Sequence, residues 1–254
     1  MDKVLYERLE PGIVLITINN PEMMNARTAE VREQFDKALD IFDDDSEALV
    51  AIVTGAGDKA FCAGGDISGF DLDLQGGHRL AKIGLAALHK LEKIDKILIA
   101  AVNGYALGGG LELALACDLI IASERAQFGF PEAKRGIVPV LGVLRLPQVI
   151  GRHKAKELLL SGRRFGAAEA ADIGLVNKVV PHDGLMTAAK ELAREIITSA
   201  PLAIKVIKAA VNRELGGAEL IYAVTAVTGL FASEDLKEGI KAFSEKRTPA
   251  FKGR

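Results

Sequence analysis

The 254-residue chain is predicted to fold as an α/β protein, on three observations. Strand-sized apolar runs alternate with helix-period patterns through its first two-thirds. About half of its residues are hydrophobic, enough for a sizeable core in one large domain. The strand signal then fades after about residue 150 and helical patterns take over. Gly12–Ile18 reads as a buried strand stopped by Asn19-Asn20-Pro21. Ala26–Phe42 places Val31, Phe35, Ala38, Leu39 and Phe42 on one helical face. Ala48–Thr54 is a second strand, Leu80–Leu91 a helix, and Ile97–Val102 a third strand. A glycine triplet and a short helix through Cys117 lead to a fourth strand, Leu119–Ala122. Such alternation calls for right-handed crossovers that stack a layered core. Further helices are expected over His153–Leu160, Gly184–Ser199, Leu202–Glu214, Ala218–Phe231 and Glu234–Phe243. The apolar faces of the last of these must be buried on the core or on other subunits.

Charge and composition remove several classes of function. Thirty-two basic residues oppose 34 acidic ones, for a net charge of −2. That balance provides no electrostatic footprint for nucleic acid or an anionic membrane. No apolar stretch reaches the 18 residues of a membrane span, and the amino terminus lacks the apolar core of a signal peptide. A cytoplasmic protein is the expectation. Cys62 and Cys117 are read as two buried thiols. His78, His89, His153 and His182 are scattered without metal-ligand spacing, so no metal is expected.

One match misleads. Gly55-Ala56-Gly57-Asp58-Lys59-Ala60 has the G-x-G-x-x-A spacing of a dinucleotide turn. It follows the second strand, not the first, and runs into Phe61-Cys62-Ala63-Gly64-Gly65 where a helix should open. Nicotinamide chemistry is therefore set aside.

Two other glycine-rich turns carry the chemistry, each at the carboxyl end of an expected strand. They are Ala60–Ile67, with Gly64-Gly65, and Asn103–Leu113, with Gly108-Gly109-Gly110. Glycine lets backbone N–H groups approach a ligand atom, and the second turn opens a helix whose first N–H groups lack internal partners. One N–H from each turn, aimed at a single oxygen, would form an oxyanion hole. A tight turn with close helix–strand packing explains either turn taken alone. Glu112 lies in the apolar run Leu111–Cys117, where a carboxylate is costly unless paired or used. Glu132 follows the strand-like Gln127–Phe130 and Pro131. Two glutamates in apolar surroundings can be held in different protonation states, one giving a proton and one taking it. A salt bridge or a helix-end charge explains either singly.

Taken in order, these pieces resemble the crotonase (enoyl-CoA hydratase/isomerase) superfamily over essentially the whole chain. The carriers are Asn20-Pro21, Met24-Asn25-Ala26, Ala60–Ile67, Ala101–Asp118, Phe128–Pro139, the segment from Arg163 to Val180, and the segment from Glu238 to Arg247. The resemblance implies a spiral of ββα units forming an acyl-CoA-binding core, residues 1–197. It also implies a helical carboxyl-terminal region, residues 198–254, that forms trimers or dimers of trimers. It gives the Gly65 and Gly109 amides the thioester oxygen, and Glu112 and Glu132 the syn addition or removal of water across C2=C3. Ala63, Asp66 and Ile67 match a stretch that cups the adenine of coenzyme A; Phe243 and Lys246, with Lys252 beside them, match carboxyl-terminal positions that meet the nucleotide. Solvated surface charge is the plainer account of the lysines. Coenzyme A enters as part of the substrate, so no separate cofactor is implied.

The chain departs from the hydratase pattern after Pro139, where Val140-Leu141-Gly142-Val143-Leu144, bulkier in its side chains and one residue shorter, replaces a glycine-rich loop. Pro131-Glu132-Ala133-Lys134 and the ending Phe251–Arg254 look like the carnitinyl-CoA dehydratase branch, which takes a cationic acyl group. Asp71 and Asp73 are either acids at a pocket mouth or solvated loop charges. A Δ3,Δ2-enoyl-CoA isomerase and a non-catalytic binding protein are the competing expectations.

Overall fold

Two sheets frame the protein in a computed structural model that describes residues 2–66, 86, 90–212 and 234–254. The larger sheet opens with β1 (Val4–Glu10) antiparallel to β2 (Ile13–Ile18). It continues in parallel through β3 (Val50–Gly55), β5 (Ile97–Val102), β7 (Leu119–Ser123) and β10 (Lys178–Val180). The smaller sheet runs β4 (Ala60–Cys62), β6 (Tyr105–Leu107), β8 (Gln127–Gly129) and β9 (Arg164–Gly166). After each of β3, β5 and β7 the chain turns sharply into a short strand of the second sheet. This repeat of two strands and a crossover is the spiral of ββα units expected from the resemblance.

The physical origin of the large sheet is plain in its middle strands. Every residue of β3 and β5 is buried, so the apolar runs Val50–Val53 and Ile97–Val102 replace an alternating pattern. Ala51, Val53, Leu98 and Ala100 face one core cluster; Val50, Ile52, Ile97 and Ile99 face another. The first cluster is closed by α1 (Ala29–Asp44), whose buried face is Val31, Phe35, Ala38, Leu39 and Phe42, the face read from the sequence. That helix starts three residues later than expected because the Thr28 side chain accepts a hydrogen bond from the Val31 N–H and caps it. The second cluster is closed by α6 (Leu185–Ile197). Fully buried Phe42, Phe61, Phe128 and Phe130 each contribute roughly 2–3 kcal/mol of burial.

The remaining helices are α2 (Gly109–Ala116), α3 (Gly142–Ile150), α4 (Arg152–Ser161), α5 (Ala167–Asp172), α7 (Pro201–Val211) and α8 (Glu234–Glu245). Of the helix expected at 80–91, residues 86, 90 and 91 are described and are helical. The one expected at 218–231 lies outside the described residues, as do Asp71 and Asp73. No helix among the described residues is long and apolar enough to cross a membrane. Two expectations need correction. Strands do occur beyond residue 150, namely β9 and β10, but at three residues each they are too short to leave a periodic signal. The stretch after Pro139 is not only a loop: it opens α3, which Pro147 inside the helix conceals from a pattern-based reading.

Side chains of two buried residues bind the turn between the sheets. Asn25 Nδ2 donates to the carbonyls of Ala56 (3.0 Å) and Ala60 (2.7 Å), and Asn103 Nδ2 donates to those of Gly55 (2.8 Å) and Gly57 (2.6 Å). The dinucleotide-like turn is thus a structural elbow whose carbonyls are tied inward and whose exit is β4, not a helix. At the opposite end, Lys208 of α7 is buried and donates from Nζ to the Lys96 carbonyl and to Asp118 Oδ2, both at 2.8 Å. Asp118 also accepts from the Leu98 N–H at 2.8 Å. Breaking a buried pair of this kind generally costs about 3–5 kcal/mol, so this clasp ties α7 firmly to the start of β5 and β7.

Candidate active site

Both glycine turns reach the same place because their backbones are packed without side chains between them. A methyl group on Gly110 would stand 1.9 Å from the Cys62 carbonyl oxygen, so only glycine lets α2 begin against the end of β4. Gly108 has a positive φ of 52° and donates its N–H to the Gly129 carbonyl. The first N–H groups of α2 point out of the turn, as those of any helix start must. Among the described residues, neither the Gly65 N–H nor the Gly109 N–H donates a hydrogen bond. A methyl group on Gly109 would lie 3.4 Å from the Gly65 nitrogen and 3.8 Å from Glu112 Oε2. One on Gly108 would lie 2.5 Å from Glu132 Oε1. Two amides and two carboxylates, drawn from three separate segments, therefore meet around the Gly108–Gly109 peptide.

The two carboxylates are supported in opposite ways. Glu112, in the first turn of α2, is buried, and its Oε1 accepts from the N–H groups of Leu141 (2.7 Å) and Gly142 (3.0 Å). Those amides are the opening of α3, whose dipole places partial positive charge there, a setting that stabilises negative charge. A methyl group on Gly142 would strike the Phe130 ring at 2.7 Å, so this helix start is also held close by glycine. Glu132 sits in the short 3-10 turn Pro131–Arg135, entered through proline and closed by Gly136 at φ 74°. Burial pushes its carboxyl up to about 7, and the nearby charge of Glu112 pushes in the same direction. Its Oε2 is buried and has no hydrogen-bond partner among the described residues. A carboxyl held this way carries a proton near neutrality and has an unsatisfied oxygen to offer.

The sequence singled out Gly65, Gly109, Glu112 and Glu132, and the fold brings those four together. Ala63 and Asp66 flank Gly65, half-buried. Ile67 lies outside the described residues. Phe243 falls in α8, and Lys246 follows it, exposed and at a left-handed φ of 53°. The described hydrogen bonds of α8 run to the chain's own tail, including Asp235 accepting from the Lys252 and Gly253 N–H groups, and none reaches the two turns. Lys252 lies near Glu234 at 3.6 Å. The residues missed by the sequence reading are Leu141 and Gly142, which act through backbone N–H groups and so leave no side-chain signature. The sequence marks Val140–Leu144 by its bulk, yet Leu141 is buried beside Glu112 while Leu144 points largely to solvent, 59% exposed.

Comparison with known proteins accounts for the arrangement. The family model described as enoyl-CoA hydratase/isomerase matches residues 8–254. A short-chain-enoyl-CoA hydratase of Clostridium acetobutylicum is 40% identical over 252 residues, covering 97% of this chain and 96% of that one. A carnitinyl-CoA dehydratase of Escherichia coli is 40% identical over 268 residues, covering 100% of both. The crystal structure of an enoyl-CoA hydratase from Bacillus anthracis superposes with a TM-score of 0.94 at 36% identity, over 99% of this chain and 100% of that one. The chain belongs to the enoyl-CoA hydratase/isomerase family.

Proposed function

We propose that the protein is an enoyl-CoA hydratase or dehydratase that adds water across, or removes it to form, the C2=C3 bond of an acyl-CoA thioester. The observation that carries this reading is the meeting of Glu112 and Glu132 beside the Gly65 and Gly109 amides. In the direction of hydration, the two amides hold the thioester oxygen as negative charge builds on it; a donor of this kind lowers the barrier by about 3–4 kcal/mol. Glu112, steadied by the α3 amides, orients a water and takes its proton as oxygen attacks C3. Glu132 delivers its proton to C2 on the same face. The water's proton ends on Glu112 and Glu132 is left ionised, so the pair as a whole keeps one proton. Dehydration is the reverse. Relatives named both hydratase and dehydratase, each at 40% identity over nearly the full chain, support this reading.

Purified protein incubated with crotonyl-CoA is expected to bleach the conjugated-enoyl absorbance. No change with crotonyl-CoA or longer enoyl-CoAs, with conversion of a 3-enoyl-CoA instead, would make the enzyme an isomerase.

Ala63, Asp66, Ile67, Phe243 and Lys246 are proposed to hold the nucleotide of coenzyme A. Residues 198–254 are proposed to associate copies of the chain into a trimer or a dimer of trimers. In support, Ile207 and Val211, one helical turn apart on α7, are 62% and 76% exposed in the single chain. Sedimentation equilibrium is expected to return three or six chain masses; a single chain mass at micromolar concentration would remove the proposal.

A further inference from the structure

We propose that Arg27 is a positioning residue for the two thioester-binding amides, a role that rests on the hydratase reading. Arg27 is the one described side chain that hydrogen-bonds the second glycine turn while its own backbone holds the first. Its N–H donates to the Gly64 carbonyl at 2.8 Å, and it forms an isolated parallel bridge with Gly65. Its guanidinium Nη1 donates to the Gly109 carbonyl at 3.3 Å. The same nitrogen lies 3.7 Å from where a methyl group on Gly109 would stand, the point that also has the Gly65 nitrogen at 3.4 Å and Glu112 Oε2 at 3.8 Å. Arg27 is itself held: Arg32 Nη1 donates to its carbonyl at 2.8 Å, and its stem lines a narrow cavity with Ile18, Val31, Phe35 and Leu113.

The two amides come from turns about forty positions apart in the sequence, and a single oxygen must be gripped by both. Misplacement by about 1 Å can cost on the order of 100-fold in rate. A residue bonded to both turns fixes their spacing before substrate arrives, which is the condition under which oxyanion donors act at full strength. The guanidinium adds a fixed positive charge beside the spot where an enolate-like oxygen would form. Methionine at this position would keep the stem's packing and lose both contributions; lysine would keep the charge and lose the planar fork.

The test compares wild type, Arg27→Met and Arg27→Lys by two readouts. The first is steady-state hydration of crotonyl-CoA. The second is the infrared carbonyl stretch of bound butyryl-CoA carrying ¹³C at the thioester carbon, a saturated probe that cannot be hydrated. Wild type is expected to shift that stretch to lower wavenumber. Arg27→Met should lose most of the shift and about 10- to 100-fold in kcat, with KM changed less than about threefold; Arg27→Lys should fall between. A wild-type stretch and wild-type kcat in Arg27→Met would overturn the proposal. If Arg27→Met lacks a cooperative melt, Arg27→Lys decides, and an unshifted stretch and kcat in that variant overturn it equally. A wild type that shifts the carbonyl but hydrates nothing would end the hydratase reading while leaving Arg27 judged by the variants' carbonyl stretch. A wild type that leaves the carbonyl unshifted would overturn both.

Discussion

A Glu132→Gln variant is expected to hydrate crotonyl-CoA at least ~100-fold more slowly than wild type, the loss that follows removal of a general acid. Glutamine fills the same space against Gly108, so the variant should keep a cooperative melt. A rate within a few-fold of wild type would take Glu132 out of the mechanism. The pH dependence sharpens the expectation. With the carboxyl of Glu132 raised to about 7, the glutamate pair loses its shared proton above that pH, and kcat/KM should decline about tenfold per unit. Hydration consumes no net proton, so kcat/KM for dehydration must decline over the same range, not rise. Limbs that run in opposite directions would contradict the one-proton scheme. Stability carries the same signature. The folded protein keeps a proton on Glu132 that the unfolded chain releases at the ordinary value of 4.5. Folding is therefore progressively disfavoured as pH rises from about 4.5 to 7, and the penalty is complete above that. Glutamine lacks the penalty, so at pH 8 the variant should be more stable, by about 1–2 kcal/mol after allowance for solvent screening, read by urea unfolding at pH 5 and pH 8.

Glu112 separates chemistry from architecture in a different way. Glu112→Gln keeps an oxygen able to accept from the Leu141 and Gly142 N–H groups, so its stability should stay near wild type. Its activity should fall at least ~100-fold, because an amide cannot take a proton from water at neutral pH. Glu112→Ala should lose comparable activity and also stability, since each buried N–H left unpaired costs about 1–3 kcal/mol. The test is the contrast: equal loss of turnover in the two variants, unequal urea midpoints. Equal midpoints would mean that the carboxylate does not hold the start of α3.

Much of this molecule was legible along the chain. Unbroken apolar runs marked β3 and β5 because burial on both faces demands them, and the i, i+3, i+4 spacing of Val31, Phe35, Ala38, Leu39 and Phe42 marked the inner face of α1. Glu112 stood out as a carboxylate in an apolar helix, and Gly64-Gly65 and Gly108–Gly110 as turns whose missing side chains needed a reason. What could not be read there depends on contacts between distant segments. The start of α3 serves Glu112 through two backbone N–H groups, which every residue but proline possesses, so Leu141 and Gly142 carry no sequence mark for it. The three-residue strands of the second sheet are held by pairing with their neighbours, not by a pattern of their own. Residue types and spacing determined that two acids and two glycine turns were present. Only the packed structure decided that they meet, that one acid is charge-stabilised by a helix start while the other is starved of solvent, and that Arg27 ties the two turns together. The physical reason is that protonation and alignment are set by what surrounds a group in space, and the chain brings those surroundings from positions far apart.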